Sequence, residues 1–206
     1  DYDTGSVLYS KNANDKMYPA STTKILTAII AIEKCNLDDI VTVKKSAIKT
    51  IPSGYSSAYL NEDEQISVDN LLKVLLVHSA NDAANVLAEH ISGTVNDFSN
   101  LMNEKAKEIG CKNSHFVNPS GIHDDNHYTT ASDLALIAKY CMSNSKFKEY
   151  VSMKNCIIPA TNKSDARKYP NTNDLINTSS KYYIKECIGI KTGFTSQAQN
   201  CLVSAC

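Results

Sequence analysis

Apolar positions recur at helical spacing through the middle of the chain and gather into short runs near its ends. Ile25, Ala28, Ile29 and Ile32 follow Pro19-Ala20 at intervals of a helical turn, which predicts a buried helix beginning near Ser21. Ser67 stands where a helix cap is wanted, ahead of Leu71, Leu72, Leu75 and Leu76 on one broad face, and that helix is expected to reach His78. A break follows at Ser79-Ala80-Asn81. Asp82 then opens a helix through Val86, Leu87 and His90, and Val95 to Ile109 forms an amphipathic helix stopped by Gly110. Beyond the loop Asn118-Pro119-Ser120-Gly121, one more helix is predicted from Ala131 to Met142. Residues 36–65 read as a polar connecting excursion, and 152–186 are rich in Asn, Ser, Thr and Lys. Strand character belongs to the ends: Val7-Leu8-Tyr9 after the turn Asp3-Thr4-Gly5-Ser6, then Cys187 to Phe194 and Asn200 to Cys206 around the polar turn Thr195 to Gln199. The pattern predicts an α+β fold, with one antiparallel sheet built from both chain ends, flanked by helices, and a helical subdomain.

The 206 residues suit one domain with a real core. With 21 basic and 22 acidic residues, no electrostatic footprint for nucleic acid or an anionic membrane surface is present, so selectivity must come from a local site. The apolar runs Ile25 to Ile32 and Leu71 to Val77 fall far short of the ~20 residues of a membrane span. Seven cysteines, an odd number without a C-x-x-C pair or metal-ligand spacing, are read as free thiols acting as small buried hydrophobes. Asp1 is not preceded by a leader, which leaves a cytosolic protein and one with a signal peptide upstream both open.

Three short patterns carry chemistry. S-x-x-K places a serine and a lysine on one helical face, where an uncharged amine could take the hydroxyl proton. It occurs at Ser21, Ser46, Ser143 and Ser145, and only Ser21, with Lys24, opens a strongly apolar helix whose free first-turn N–H groups could stabilise a developing oxyanion. S-x-N occurs at Ser10 and Ser79. The second lies between two apolar helices, so Ser79 could relay a proton while the Asn81 amide holds a peptide carbonyl. Lys191-Thr192-Gly193 sits in a predicted strand, where glycine permits close approach of a ligand, and only about 0.05 such triplets are expected by chance at this composition. His123 and His127 are read as loop residues and not as metal ligands, and Asp124 and Asp133 as a loop residue and a helix-side hydrogen bonder.

The ordered set S-x-x-K, S-x-N, K-T-G resembles that of class A β-lactamases and penicillin-binding proteins. Further segments, Ser79 to Ala84, Phe116 to Ile122, His127 with Thr129 to Ala135, and Gly189 to Thr195, resemble the low-molecular-weight D-Ala-D-Ala carboxypeptidases, the DacF-like enzymes in particular. The resemblance implies that Ser21 attacks the penultimate D-Ala carbonyl, Lys24 accepts its proton and Ser79 passes it to the leaving D-Ala. Asn81 would hold the substrate backbone, and Lys191 would supply positive potential near Ser79. Thr192 and Thr195 would bind the terminal carboxylate, and the N–H groups of Ser21 and Phe194, beside Gly193, would form the oxyanion hole. It further implies peptidoglycan stem peptides as substrate, β-lactams as inhibitors and no cofactor. The implied setting is the cell envelope, with a signal peptide upstream, a catalytic domain truncated at both ends, and membrane association through segments outside residues 1–206. A β-lactamase is the nearest rival, but the E-x-x-x-N of class A enzymes is missing between S-x-N and K-T-G. A non-catalytic sensor of penicillin or peptidoglycan is the other alternative. Departures from the family pattern are Gln199-Asn200, where relatives carry a small residue and glycine, and the lack of a fuller first strand and a further last one.

Overall fold

A computed structural model describes all 206 residues. The nucleophile candidate lies in a single 3₁₀ turn, Ala20–Thr23, which runs directly into helix α1, Lys24–Lys34. Seven consecutive residues of α1 after Lys24, from Ile25 to Ala31, are buried, so this helix is the axis of the core. At about 1.5–3 kcal/mol for each fully buried large aliphatic side chain, Ile25, Leu26, Ile29 and Ile30 alone anchor it firmly.

Around it stand α3 (Val68–Lys73), capped as expected by the Ser67 side chain, α4 (Asn81–Ser92), α5 (Val95–Ile109) and α6 (Ala131–Met142). The Thr94 and Thr130 side chains cap α5 and α6, and Gly110 ends α5 in the left-handed conformation. Between α3 and α4 the chain widens into a π-helical turn, Val74–His78, then breaks at Ser79 with φ 67°. A left-handed conformation costs a serine roughly 1–2 kcal/mol. That strain is located at the second motif, and Ala20, with φ 48°, carries the same strain one residue before Ser21.

The polar stretches hold elements that periodicity did not reveal. Strands β1 (Ile40–Thr42) and β2 (Gln65–Ser67) pair antiparallel, with the short helix α2 (Lys45–Lys49) between them. After helix α7 (Ser145–Ser152), β3 (Asn155–Ile158) pairs with β4 (Arg167–Pro170). The last sheet is the hairpin of β5 (Gly189–Thr195) and β6 (Gln199–Ala205). The α+β class is therefore as expected. The expected contribution of Val7-Leu8-Tyr9 to a sheet is corrected: these residues are not in strand and are largely exposed, since no neighbouring strand offers them hydrogen bonds. The seven cysteines are free thiols, and no helix is long and apolar enough to cross a membrane.

Candidate active site

Lys24, the first residue of α1, is completely buried, and its Nζ lies 2.8 Å from Ser21 Oγ, 2.8 Å from Asn81 Oδ1 and 2.6 Å from the Ser120 carbonyl oxygen. The orientation of Asn81 is fixed, because its Nδ2 donates to the Ser56 carbonyl at 2.9 Å and leaves Oδ1 to face the lysine. Asn81 Oδ1 and Ser120 O can only accept. A neutral Lys24 amine has two N–H donors for them, and its lone pair is left for the Ser21 hydroxyl. Burial first, and the neighbouring charge of Lys191 second, push the Lys24 pKa well below its ordinary value, against a smaller opposing pull from Asp82. Both the geometry and the electrostatics therefore favour an amine poised to receive the Ser21 proton.

The third corner of that cage is built by the Asn118-Pro119-Ser120-Gly121 loop. Asn118 Oδ1 accepts from the N–H groups of Ser120 and Gly121, at 3.1 and 2.7 Å, and its Nδ2 donates to Ile122 O at 2.8 Å, which fixes the Ser120 carbonyl toward Lys24. Gly121 has φ 82°, and a Cβ there would fall 1.8 Å from Ala20 O, so only glycine lets this loop lie against the nucleophile turn. His127 secures the same turn: its Nδ1 accepts from Val117 N at 3.1 Å, which leaves Nε2–H to donate to Thr23 Oγ1 at 2.8 Å. Burial lowers its pKa to about 4, so the ring stays neutral and both nitrogens are committed to structure, as the loop reading of this residue requires.

Strand β5 closes the site from the other side. A Cβ on Gly193 would stand 2.9 Å from Ser21 N and 3.1 Å from Thr22 N, so glycine is what admits the strand to the helix start. Lys191 is almost wholly buried, donates to Thr192 O at 3.0 Å and has its pKa lowered by burial to about 7. Thr195 Oγ1 accepts from Ala198 N at 3.0 Å and thereby caps the β5–β6 turn, while its own O–H remains a donor. The Phe194 side chain is exposed, so only its backbone can serve Ser21.

Ser21, Ser79, Asn81, Thr192, Gly193, Phe194 and Thr195 all line one cleft of about 690 Å³. Lys24 and Lys191 are buried behind the lining, Lys24 bonded to its residues Ser21 and Asn81 and Lys191 to the Thr192 carbonyl. Two expectations need refinement. Ser79 faces the cleft without a hydrogen bond to Ser21 or Lys24, and Asn81 has both ends of its amide engaged within the protein, so in this state it orients Lys24. The other S-x-x-K serines are elsewhere: Ser46 Oγ bonds Glu89 at 2.9 Å, and Ser143 Oγ bonds Tyr140 O at 2.7 Å. The sequence reading missed Asp82. Its carboxylate accepts from Ser57 Oγ at 2.6 Å, Ala58 N at 2.9 Å and Leu60 N at 3.1 Å, and so holds the 56–60 segment that Asn81 also grips. Its position directly after S-x-N was the available signal.

The family described as D-alanyl-D-alanine carboxypeptidase matches this chain over residues 1–206. Among curated relatives, the D-alanyl-D-alanine carboxypeptidase DacF of Bacillus subtilis (strain 168) is 36% identical over 210 residues, covering 98% of this chain and 51% of that protein. The D-alanyl-D-alanine carboxypeptidase of Streptomyces sp. (strain K15) is 33% identical over 215 residues, covering 98% and 72%. The chain spans about half the length of most of the relatives it matches first. The crystal structure of the Streptomyces K15 DD-transpeptidase superposes with a TM-score of 0.89 at 32% identity, covering 98% of this chain and 80% of that one.

Proposed function

The chain belongs to the D-alanyl-D-alanine carboxypeptidase family, and we propose from this that it removes the terminal D-Ala of peptidoglycan stem peptides through an acyl-enzyme on Ser21. The observation that carries the reading is the buried Lys24 amine, 2.8 Å from Ser21 Oγ with its other two partners restricted to accepting. Ser21 Oγ attacks the penultimate D-Ala carbonyl as Lys24 Nζ takes its proton. The oxyanion collects at the backbone N–H groups of Ser21 and Phe194. Ser79, facing the same cleft, relays that proton from Lys24 to the departing D-Ala nitrogen as the C–N bond breaks, so that Lys24 is neutral again when water, giving its proton back along the same route, releases the acyl group. Thr192 and Thr195 take the terminal carboxylate, with Lys191 beneath them as the countercharge. That carboxylate favours the protonated form of a lysine whose pKa burial has lowered to about 7.

β-Lactams acylate the same serine in this reading, and lack of the class A E-x-x-x-N pattern leaves the adduct slow to hydrolyse. The protein would act in the cell envelope, with residues 1–206 as its catalytic domain and membrane association supplied by segments outside them. The test is mass spectrometry of the protein treated with labelled penicillin. One adduct on a peptide containing Ser21, abolished in Ser21→Ala, together with release of D-Ala from an acyl-D-Ala-D-Ala peptide, is the expected result. Labelling at Ser46, Ser143 or Ser145 would overturn the assignment. An adduct without any D-Ala release would favour a sensor.

A further inference from the structure

The proposed reaction uses none of the seven thiols, and two of them meet. Cys187 is buried just ahead of β5, and Cys206 is exposed just beyond β6. The strand register brings them together. Gly189 pairs with Ala205, and Ile188 N donates to Ala205 O at 2.9 Å, so the chain at 187–188 runs alongside 205–206. Partner Cα atoms on adjacent antiparallel strands stand about 4.5–5.5 Å apart, inside the span of about 4.4–6.8 Å that a disulfide bridges. Side chains complete the approach. Ser204 Oγ donates to Gly189 O at 2.8 Å and lies 3.0 Å from Cys187 Sγ. The Cys206 side chain hydrogen-bonds those of both Ser204 and Cys187. The two thiols are thus held against one hydroxyl and against each other, with one of them open to solvent. Cys111, Cys141 and Cys201 are arranged differently, each turned toward a backbone carbonyl, at 3.7, 3.8 and 3.6 Å.

We propose that Cys187 and Cys206 are a disulfide-forming pair, and that the bond between them pins the chain entering β5 to the end of β6. Cys206, the exposed partner, reacts first. With a low-molecular-weight disulfide as oxidant, the Cys206 thiolate attacks one of its sulfurs, the S–S bond breaks and one small thiolate leaves. The Cys187 thiolate then attacks the Cys206 sulfur of this mixed disulfide and expels the second small thiolate. Two protein thiols are oxidised, one small disulfide is reduced to two thiols, and the protein's two thiol protons end on the leaving groups. The new bond closes a loop of about 20 residues that contains Lys191, Thr192 and Gly193. It lies at the opposite end of the hairpin from the turn where Thr195 meets Gln199. Neither cysteine lines the cleft, so the bond holds the hairpin without entering the reaction.

The folded protein is incubated with excess oxidised glutathione at about pH 8.5, because burial first and Cys187 second raise the Cys206 pKa and only the thiolate attacks. It is then quenched in acid, alkylated in denaturant and digested without reduction for mass spectrometry. One pair of peptides joined through Cys187 and Cys206 is expected, with Cys35, Cys111, Cys141, Cys156 and Cys201 all alkylated. In thermal melts the oxidised protein should exceed the reduced one by about 5 °C or more. Cys206→Ser, a change at an exposed position, should abolish that gain while leaving the melt of the reduced protein in place. In Cys187→Ser the glutathione adduct should accumulate at Cys206, since its resolving thiol is gone. Seven alkylated cysteines after exposure to the oxidant would overturn the pair. So would a lasting glutathione adduct at Cys206 in the unaltered protein, or a link from Cys206 to another cysteine or a second molecule. An oxidised protein that melts no higher than the reduced one would overturn the pinning.

Discussion

Two lysines with opposite duties sit in one buried pocket, and burial serves only one of them. Lys24 must be neutral to take a proton, and desolvation, the largest influence on it, drives it that way. Lys191 is to be positive for a carboxylate, yet burial lowers its pKa to about 7. Acylation by a carboxylate-bearing peptide should therefore rise with pH as Lys24 sheds its proton and fall again as Lys191 loses its charge above about pH 7. Lys191→Ala separates the two roles when assayed with an uncharged ester. Removing a positive neighbour eases protonation of Lys24, so the acidic limb should move to higher pH, modestly because burial is the first cause and Lys191 the second. With the carboxylate peptide the same variant should lose the basic limb as well as affinity. An acidic limb that stays in place would mean that Lys191 serves binding alone and that burial accounts for the neutral amine.

At the level of elements, the helices were legible and most strands were not. α5 and α6 follow the expected bounds because each has a capping threonine and a long apolar periodicity. β1 to β4 are three or four residues long, too short for alternation to register, and β1 meets β2 only after an intervening helix. α7 was missed although Phe147, Tyr150 and Val151 follow helical spacing, because lysines and Glu149 intervene. The hairpin was found, but what seats it was not: the sequence marks Gly193 as permissive, while the structure shows it pressed against the Ser21 and Thr22 amides. Gly193→Ala must push β5 away from the helix start by several tenths of an ångström or more. Misplacement of that order around a reacting centre costs about 10²-fold. Penicillin acylation of Gly193→Ala should fall by about that factor while the variant still melts cooperatively. A rate within threefold of the unaltered protein would show that the oxyanion donors do not depend on this contact.

Across the whole molecule, the three motifs named the reacting groups, while the residues that hold them in place depend on which distant loops meet, and spacing does not encode that. Ser120 reaches Lys24 across 96 positions, and the 56–60 segment is gripped both by Asp82 and by β4. The grip from β4 is the long-range tie with the most at stake. Glu64 is fully buried, paired with Arg167 and bonded by Thr161 Oγ1 and Asn61 N, each at 2.9 Å. Burial would raise its pKa, but those donors together hold it below the ordinary glutamate value. Arg167 Nη1 and Tyr169 OH also reach Ala58 O, at 3.3 and 2.7 Å, so the same strand steadies the cleft wall. Removing one partner of a buried pair leaves a charge without compensation, at a cost of about 3–5 kcal/mol. Arg167→Ala should lose that much in urea unfolding at pH 7, and pairing it with Glu64→Gln should restore more than half. The pH dependence has a definite sign. With its pKa lowered, Glu64 contributes stability that is present above the ordinary glutamate pKa and lost as pH falls through the folded value. In Arg167→Ala desolvation dominates and the carboxyl protonates readily, so the gap between the variant and the unaltered protein should narrow from pH 7 toward pH 4. A gap that stays constant over that range would assign the loss to the Arg167–Ala58 contact and to packing, and not to the ion pair.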